Sequence, residues 1–193
     1  MLSIQNITYR IAGRTLLEGA SLSVERGQKL GLIGRNGTGK TTLFKLINNS
    51  VQFDDGDIQM QRGIRMGQVA QEAAATDESL IETVLAADEE RASLMAEAEN
   101  TTDPMRIAEV HNRLVDIEAD RAPARAARIL AGLGFNEEAQ QRTCTEFSGG
   151  WRMRVALAAA LFARPDFLLL DEQTNHLDLE AALWLEQYLQ GWN

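Results

Sequence analysis

Gly34-Arg35-Asn36-Gly37-Thr38-Gly39-Lys40-Thr41 fits the pattern G-x-x-x-x-G-K-[ST]. The residue types answer a chemical need. A triphosphate carries several negative charges on closely spaced oxygens. Backbone N–H groups can surround those oxygens only where side chains do not intervene, hence the glycines. Lys40 would place a point charge between the β- and γ-phosphates, and Thr41 would offer its hydroxyl to Mg²⁺. Arg35, Asn36, Thr38 and the adjoining Thr42 complete the candidate contacts with that triphosphate. Such an octapeptide alone can arise by chance as a Gly-rich turn, so its flanks decide. Before it, Lys29-Leu30-Gly31-Leu32-Ile33 is a short apolar run of the kind found in buried strands. After it, Leu43, Leu46 and Ile47 have helical spacing, which aims a helix N-terminus at the phosphates. The expected class is therefore α/β.

Further out, Leu2, Ile4 and Ile7 through Tyr9 read as one strand, Leu16 to Val24 as another, and Ile64 to Val69 as a third. Arg26-Gly27 and Asp54-Asp55-Gly56-Asp57 read as turns. The middle of the chain is helical. Leu80, Val84, Ala87, Arg91, Leu94 and Ala98 recur at helical spacing, as do Ile107, Val110, Leu114 and Ile117. Between the two sets, Asp103 is a good N-cap and Pro104 a good first helical residue. This is an antiparallel helical hairpin with an acidic outer face, either a solvated insert or an arm that meets a partner. Pro123 restarts a third helix, which Gly132 and Gly134 end. Gly149 to Ala163 is helical up to Arg164-Pro165, Phe167 to Leu170 is a buried strand, and Leu179 to Leu189 is helical again.

Composition bounds the alternatives. The chain has 193 residues, a length for one domain or one with an insertion, and its 45% apolar content excludes a disordered or collagen-like polymer. The longest apolar run, Val155 to Ala163, has nine residues, short of the roughly 20 a membrane span needs. The N-terminus lacks the layout of a signal peptide. A lone Cys144 excludes an internal disulfide and fits a reducing cytosol, so a cytoplasmic protein is expected. The formal charge of −9 argues against a sequence-specific DNA binder, but it is unevenly spread: +4 over residues 1–71, −10 over 72–146 and −3 over 147–193.

Leu168-Leu169-Leu170-Asp171-Glu172 ends an apolar strand in two carboxylates, where ligands bind in open α/β sheets. Asp171 is the candidate Mg²⁺ partner. Glu172, pointing the other way along the strand, is the candidate that orients or deprotonates the attacking water. The alternative is an acidic strand end facing solvent.

Phe147-Ser148-Gly149-Gly150-Trp151-Arg152-Met153-Arg154, some twenty residues before that strand, resembles the signature of ATP-binding cassette ATPases. Trp151 in place of the usual glutamine, and Asn175-His176-Leu177-Asp178 after the carboxylate pair, are similar to the ABC-F subfamily, and in particular to its YheS-like branch. The resemblance covers nearly the whole chain, as a first cassette that is not complete. It implies a P-loop cassette with a mixed or parallel core sheet, an N-terminal antiparallel β part and a helical subdomain. A nucleotide-binding core would take residues 1–71 and 164–193, and the helical subdomain 72–163, with an arm-like insert at about 86–120. It also implies that Gln71 touches Mg²⁺ and the attacking water. Ser148, Gly149 and Gly150 would meet the γ-phosphate held by another cassette, and Asp178 would line the contact between cassettes. Gln68, three residues before Gln71, is the weaker candidate, His176 a loop residue and His111 a surface one.

The chain also departs from that family. Gln173 stands where the family carries a proline that would hold Glu172 extended, which implies a lowered rate or a chance substitution. The aromatic that cassettes stack on adenine is replaced by Ile11, with Tyr9 on the same face of a regular strand and read as packing. The family's switch histidine and second cassette would follow residue 193, so residues 1–193 alone are expected to hydrolyse ATP slowly or not at all. The expected function is an ATPase that acts on the ribosome as a translation factor. The alternatives are the motor domain of an ABC transporter and a nucleotide-binding module without turnover.

Overall fold

The computed structural model describes residues 1–193 apart from Ala70, Gln71, Glu172, Asn193 and the side chains of Gln173 and Thr174. Two compact units are present. One comprises Met1–Met66, Asp166–Asp171 and Gly191–Asn193, the other Gly67–Pro165 and Glu172–Gln190.

The first unit is built on an antiparallel sheet of β1 (Leu2–Ile11), β2 (Arg14–Val24) and β3 (Asp55–Met60), in the order β2-β1-β3. The apolar residues of β1 select its inner face: Leu2, Ile4 and Ile7 are buried, with Val24 of β2. α1 (Lys40–Ile47) lays Leu46 and Ile47 on this face, and Leu169 of β5 (Phe167–Leu169) closes the cluster. Full burial of each such side chain is worth about 1.5–3 kcal/mol. Arg65 anchors the approach to β5: its carbonyl accepts from Asp166 N–H at 2.9 Å, and its own N–H donates to Asp166 Oδ2 at 3.0 Å.

Two expectations fail here. Residues 29–33 form no strand. They lie in neither sheet, and Ile33 is 97% exposed. An apolar run supplies strand propensity, but a strand also needs a neighbouring strand to pair with, and residues 29–33 join neither sheet. The acidic stretch at 54–57 is not a free turn either. Asp55 opens β3, and a register shift between Gln5 and Thr8 of β1 is accommodated at Gly56. A Cβ at Gly56 would stand 2.6 Å from the Gln5 and Asn6 carbonyl oxygens, so only glycine fits. The strand expected over Ile64–Val69 is shorter, β4 (Met66–Gln68).

The second unit is helical: α2 (Leu80–Ala86), α3 (Glu89–Asn100), α4 (Pro104–Asp116), α5 (Ala122–Gly132), α6 (Glu137–Gln140), α7 (Gly149–Phe162) and α8 (Leu179–Gln190). α2 starts on a capping box, in which Ser79 N–H donates to Glu82 Oε2 at 2.9 Å and Ser79 Oγ accepts from Glu82 N–H at 3.3 Å. The apolar spacing that runs on from Leu80 to Ala98 spans two helices. Asp88 caps a new one by accepting from Arg91 N–H at 3.0 Å. Asp103 and Pro104 open α4 as expected, with Met105 N–H donating to Asp103 Oδ1 at 3.0 Å. α3 buries no residue and meets α4 as an antiparallel hairpin laced by Arg106 with Glu97 and by Arg113 with Glu90. α7 is the opposite case. Val155, Ala156, Leu157, Ala158, Leu161 and Phe162 are buried, so it forms the centre of this unit.

Candidate functional site

The phosphate-type loop lies in the first unit, exposed over residues 31–38. Gly37 at φ +80° and Gly39 at φ +98° turn the backbone through the left-handed region, and Gly39 caps α1 without any side-chain hydrogen bond. The loop holds its own shape: Thr38 Oγ1 donates to the Arg35 carbonyl at 2.8 Å. Lys40 Nζ folds back over it and donates to the Gly34 carbonyl at 2.8 Å and the Arg35 carbonyl at 3.3 Å. No acidic residue sits in the first turn of α1. An ammonium, an exposed glycine-rich backbone and the positive end of a helix thus meet at one loop, an arrangement suited to an anion.

Thr41 is exposed at the start of α1, and Asp171, two residues beyond β5, is half-buried in the same unit. Both offer oxygen donors of the kind a hard cation takes. Among the described residues no three His, Cys, Asp or Glu side chains gather as a metal cage. Gln71 and Glu172 lie outside the described residues. Tyr9 packs on the core of the first unit, whereas Ile11 is 51% exposed.

In the second unit, Ser148 caps α7 in an extended conformation (φ −67°, ψ 163°) and makes no capping bond with its side chain. Ser148 and Gly149 are exposed, and Ser148 lines an open cleft of about 480 Å³ together with Phe135, Phe147 and Trp151. Phe135 stands edge-on to both aromatics, 5.7 Å from Phe147 and 5.1 Å from Trp151.

Two arginines of this helix escape any reading of the motif. Arg152 donates from its guanidinium to the Phe147 carbonyl at 2.7 Å and to Glu72 Oε2 at 2.6 Å. Arg154 is 9% exposed and stacks 4.5 Å from the Trp151 ring centre. It donates to the Leu133 carbonyl at 3.2 Å, the His176 carbonyl at 2.9 Å and Asp178 Oδ2 at 2.8 Å. The signal was present in the sequence: an arginine set directly against the apolar run Val155–Ala163 is costly to bury unless paired. Asp178 also caps α8, accepting from Ala181 N–H at 2.9 Å. That N–H first, and Arg154 second, hold its carboxyl below the usual carboxylate range. His176 and His111 are both exposed, the latter against the Ile107 carbonyl.

A family model described as "ABC transporter" matches residues 17–175. ATP-binding cassette sub-family F member 3 of Homo sapiens is 45% identical over 200 residues, 98% of this chain and 27% of that protein. The "Probable ATP-binding protein YheS" of Escherichia coli K12 is 41% identical over 195 residues, all of this chain and 31% of that protein. The chain thus spans about a third or less of these relatives. Among solved structures, the dimeric ATP-binding cassette MJ0796 in a post-hydrolysis state, bound to ADP and Pi, aligns at TM-score 0.65 and 20% identity. That alignment covers 98% of this chain and 81% of that one, and shows the fold alone.

Proposed function

The chain belongs to the ABC transporter family of ATP-binding cassettes, in its sub-family F, and from that premise we propose that it binds ATP with Mg²⁺ and hydrolyses it as part of a ribosome-associated translation factor. The observation that carries the reading is the loop geometry: Lys40 folded back on the Gly34 and Arg35 carbonyls, in a loop turned by two left-handed glycines, Gly37 and Gly39, at a helix start free of acidic residues. Gly34, Arg35, Asn36, Gly37, Thr38, Gly39 and Thr42 surround the phosphates, and Lys40 moves from its own carbonyls to the β- and γ-oxygens. Thr41, Asp171 and Gln71 would hold the cation. When bound, Mg²⁺ neutralises charge on the phosphate oxygens. Glu172 orients the attacking water and takes its proton. Ser148, with the N–H groups of Gly149 and Gly150, reaches the γ-phosphate on a second cassette, so ATP closes the pair and hydrolysis releases it.

Among the described residues no helix is long and apolar enough to cross a membrane. The 41–45% identities are to sub-family F proteins, whereas the likeness to the solved cassette is one of fold. The identities, not the absence of such a helix, favour the translation factor over a transporter motor. The test uses the full-length protein carrying Glu172→Gln, which slows hydrolysis and traps the closed state. Sedimented with ribosomes, it should be retained with ATP about tenfold more than with ADP, since only the γ-phosphate and its cation distinguish the two states. Retention independent of nucleotide, or recovery with membranes, overturns the ribosomal reading.

A further inference from the structure

α7 carries Arg152 and Arg154 two residues apart. At 3.6 residues per turn they differ by roughly 200° about the axis and leave the helix on opposite sides. On one side, Arg152 joins the Phe147 carbonyl, next to Ser148, to Glu72. A backbone bond from Ala73 N–H to the Arg152 carbonyl, at 3.1 Å, fastens the same segment. Glu72 is the residue after Gln71. On the other side, Arg154 holds the His176 carbonyl and the Asp178 carboxylate. The turn it grips, Gln173–His176, begins at the residue after Glu172. Every one of these contacts lies within the second unit.

We propose that Arg152 and Arg154 are positioning residues that hold, from opposite sides of α7, the segments following Gln71 and Glu172, so that contact at the Ser148 end of the helix sets both. The inference rests on the functional reading above. The two grips differ in character. Arg154 is buried and aromatic-backed, and it ties three acceptors at once, so it fixes its turn to the helix. Arg152 is held less deeply: its side chain is 22% exposed and its partner Glu72 49%. The Glu72 side is therefore the one a ligand at Ser148 can loosen or tighten. A Cβ at Gly149 would stand 3.2 Å from Glu72 Oε2, close enough that the carboxylate would shift by a few tenths of an ångström. Neither arginine touches a reacting atom in this account. They act through the placement of the groups that do.

Glu72→Gln and Asp178→Asn are the informative variants in the full-length protein. Both side chains are well exposed, and Asn keeps the α8 cap while losing the charge. Each should lower kcat about tenfold, the scale on which small misplacements act, while the dissociation constant for a fluorescent ATP analogue moves less than about twofold. Arg154→Gln combined with Asp178→Asn should be no slower than Arg154→Gln alone, because the two remove one interaction. The exchange Glu72→Arg with Arg152→Glu should regain rate relative to either single change. Unchanged kcat in both single variants, or additive losses in the double one, overturns the proposal. If wild-type protein neither binds the analogue nor turns over ATP, the functional reading fails instead, and the two failures are distinct.

Discussion

Lys40 is held by its own loop, its ammonium donating to two carbonyls there. The loop itself was legible in the sequence, because the eight-residue pattern binds residue type to backbone geometry. Arg154 was not legible in the same way. Its importance comes from acceptors 21 to 24 residues away, which no local spacing reports. Asp178 lies between these cases: its position in the motif was evident, its pairing with Arg154 was not. Its depressed carboxyl gives a signed prediction. An acid lowered on folding stabilises above its unfolded value and loses that contribution as pH falls through the folded one. Wild-type protein should therefore melt above Asp178→Asn at neutral pH. The gap should narrow as pH falls below the ordinary range of aspartate, as thermal melts across a pH series would show.

Among the elements, helices with a cap and an apolar stripe are legible in the sequence. Asp103-Pro104 predicted the start of α4 to the residue. The continuous stripe from Leu80 concealed a break, because the apolar spacing resumes in phase after Asp88 and only the cap reveals it. Residues 29–33 failed because burial of a strand depends on what lies beside it, which a single run of residues does not encode. Gly132 is legible in the sequence as a helix end, but its second role is not. It ends α5, and it also lets Trp184 of α8 lie against the helix, so that a Cβ would overlap the indole ring. Gly132→Ala should cost about 1–3 kcal/mol from overpacking, less about 1 kcal/mol regained in helix propensity. For a protein of this size the net loss lowers Tm by a few degrees, on the order of 2–4 °C per kcal/mol. Calorimetry of Gly132→Ala with and without Trp184→Leu checks it, since the smaller side chain should restore part of the loss.

At the scale of the whole molecule, the cassette is two units, each with its own core, and the motifs divide between them. The phosphate-type loop and Asp171 belong to the β-rich unit, the Ser148 end of α7 and the Asp178 loop to the helical one. The order of the motifs along the chain identified the family, and the match over residues 17–175 bears that out. The charge asymmetry also has a structural home, since the −10 segment contains the hairpin α3–α4, where acidic and basic side chains pair across the two helices. The central claim is that the loop under Lys40 holds nucleotide, and calorimetric titration of the full-length protein with a non-hydrolysable ATP analogue tests it most directly. Removing an ammonium that meets phosphate should cost on the order of 1.5–3 kcal/mol, about ten- to a hundredfold in affinity at this site, so Lys40→Ala should lower the tight-binding stoichiometry by about one nucleotide per chain. Equal stoichiometry and affinity in wild type and variant would contradict the account.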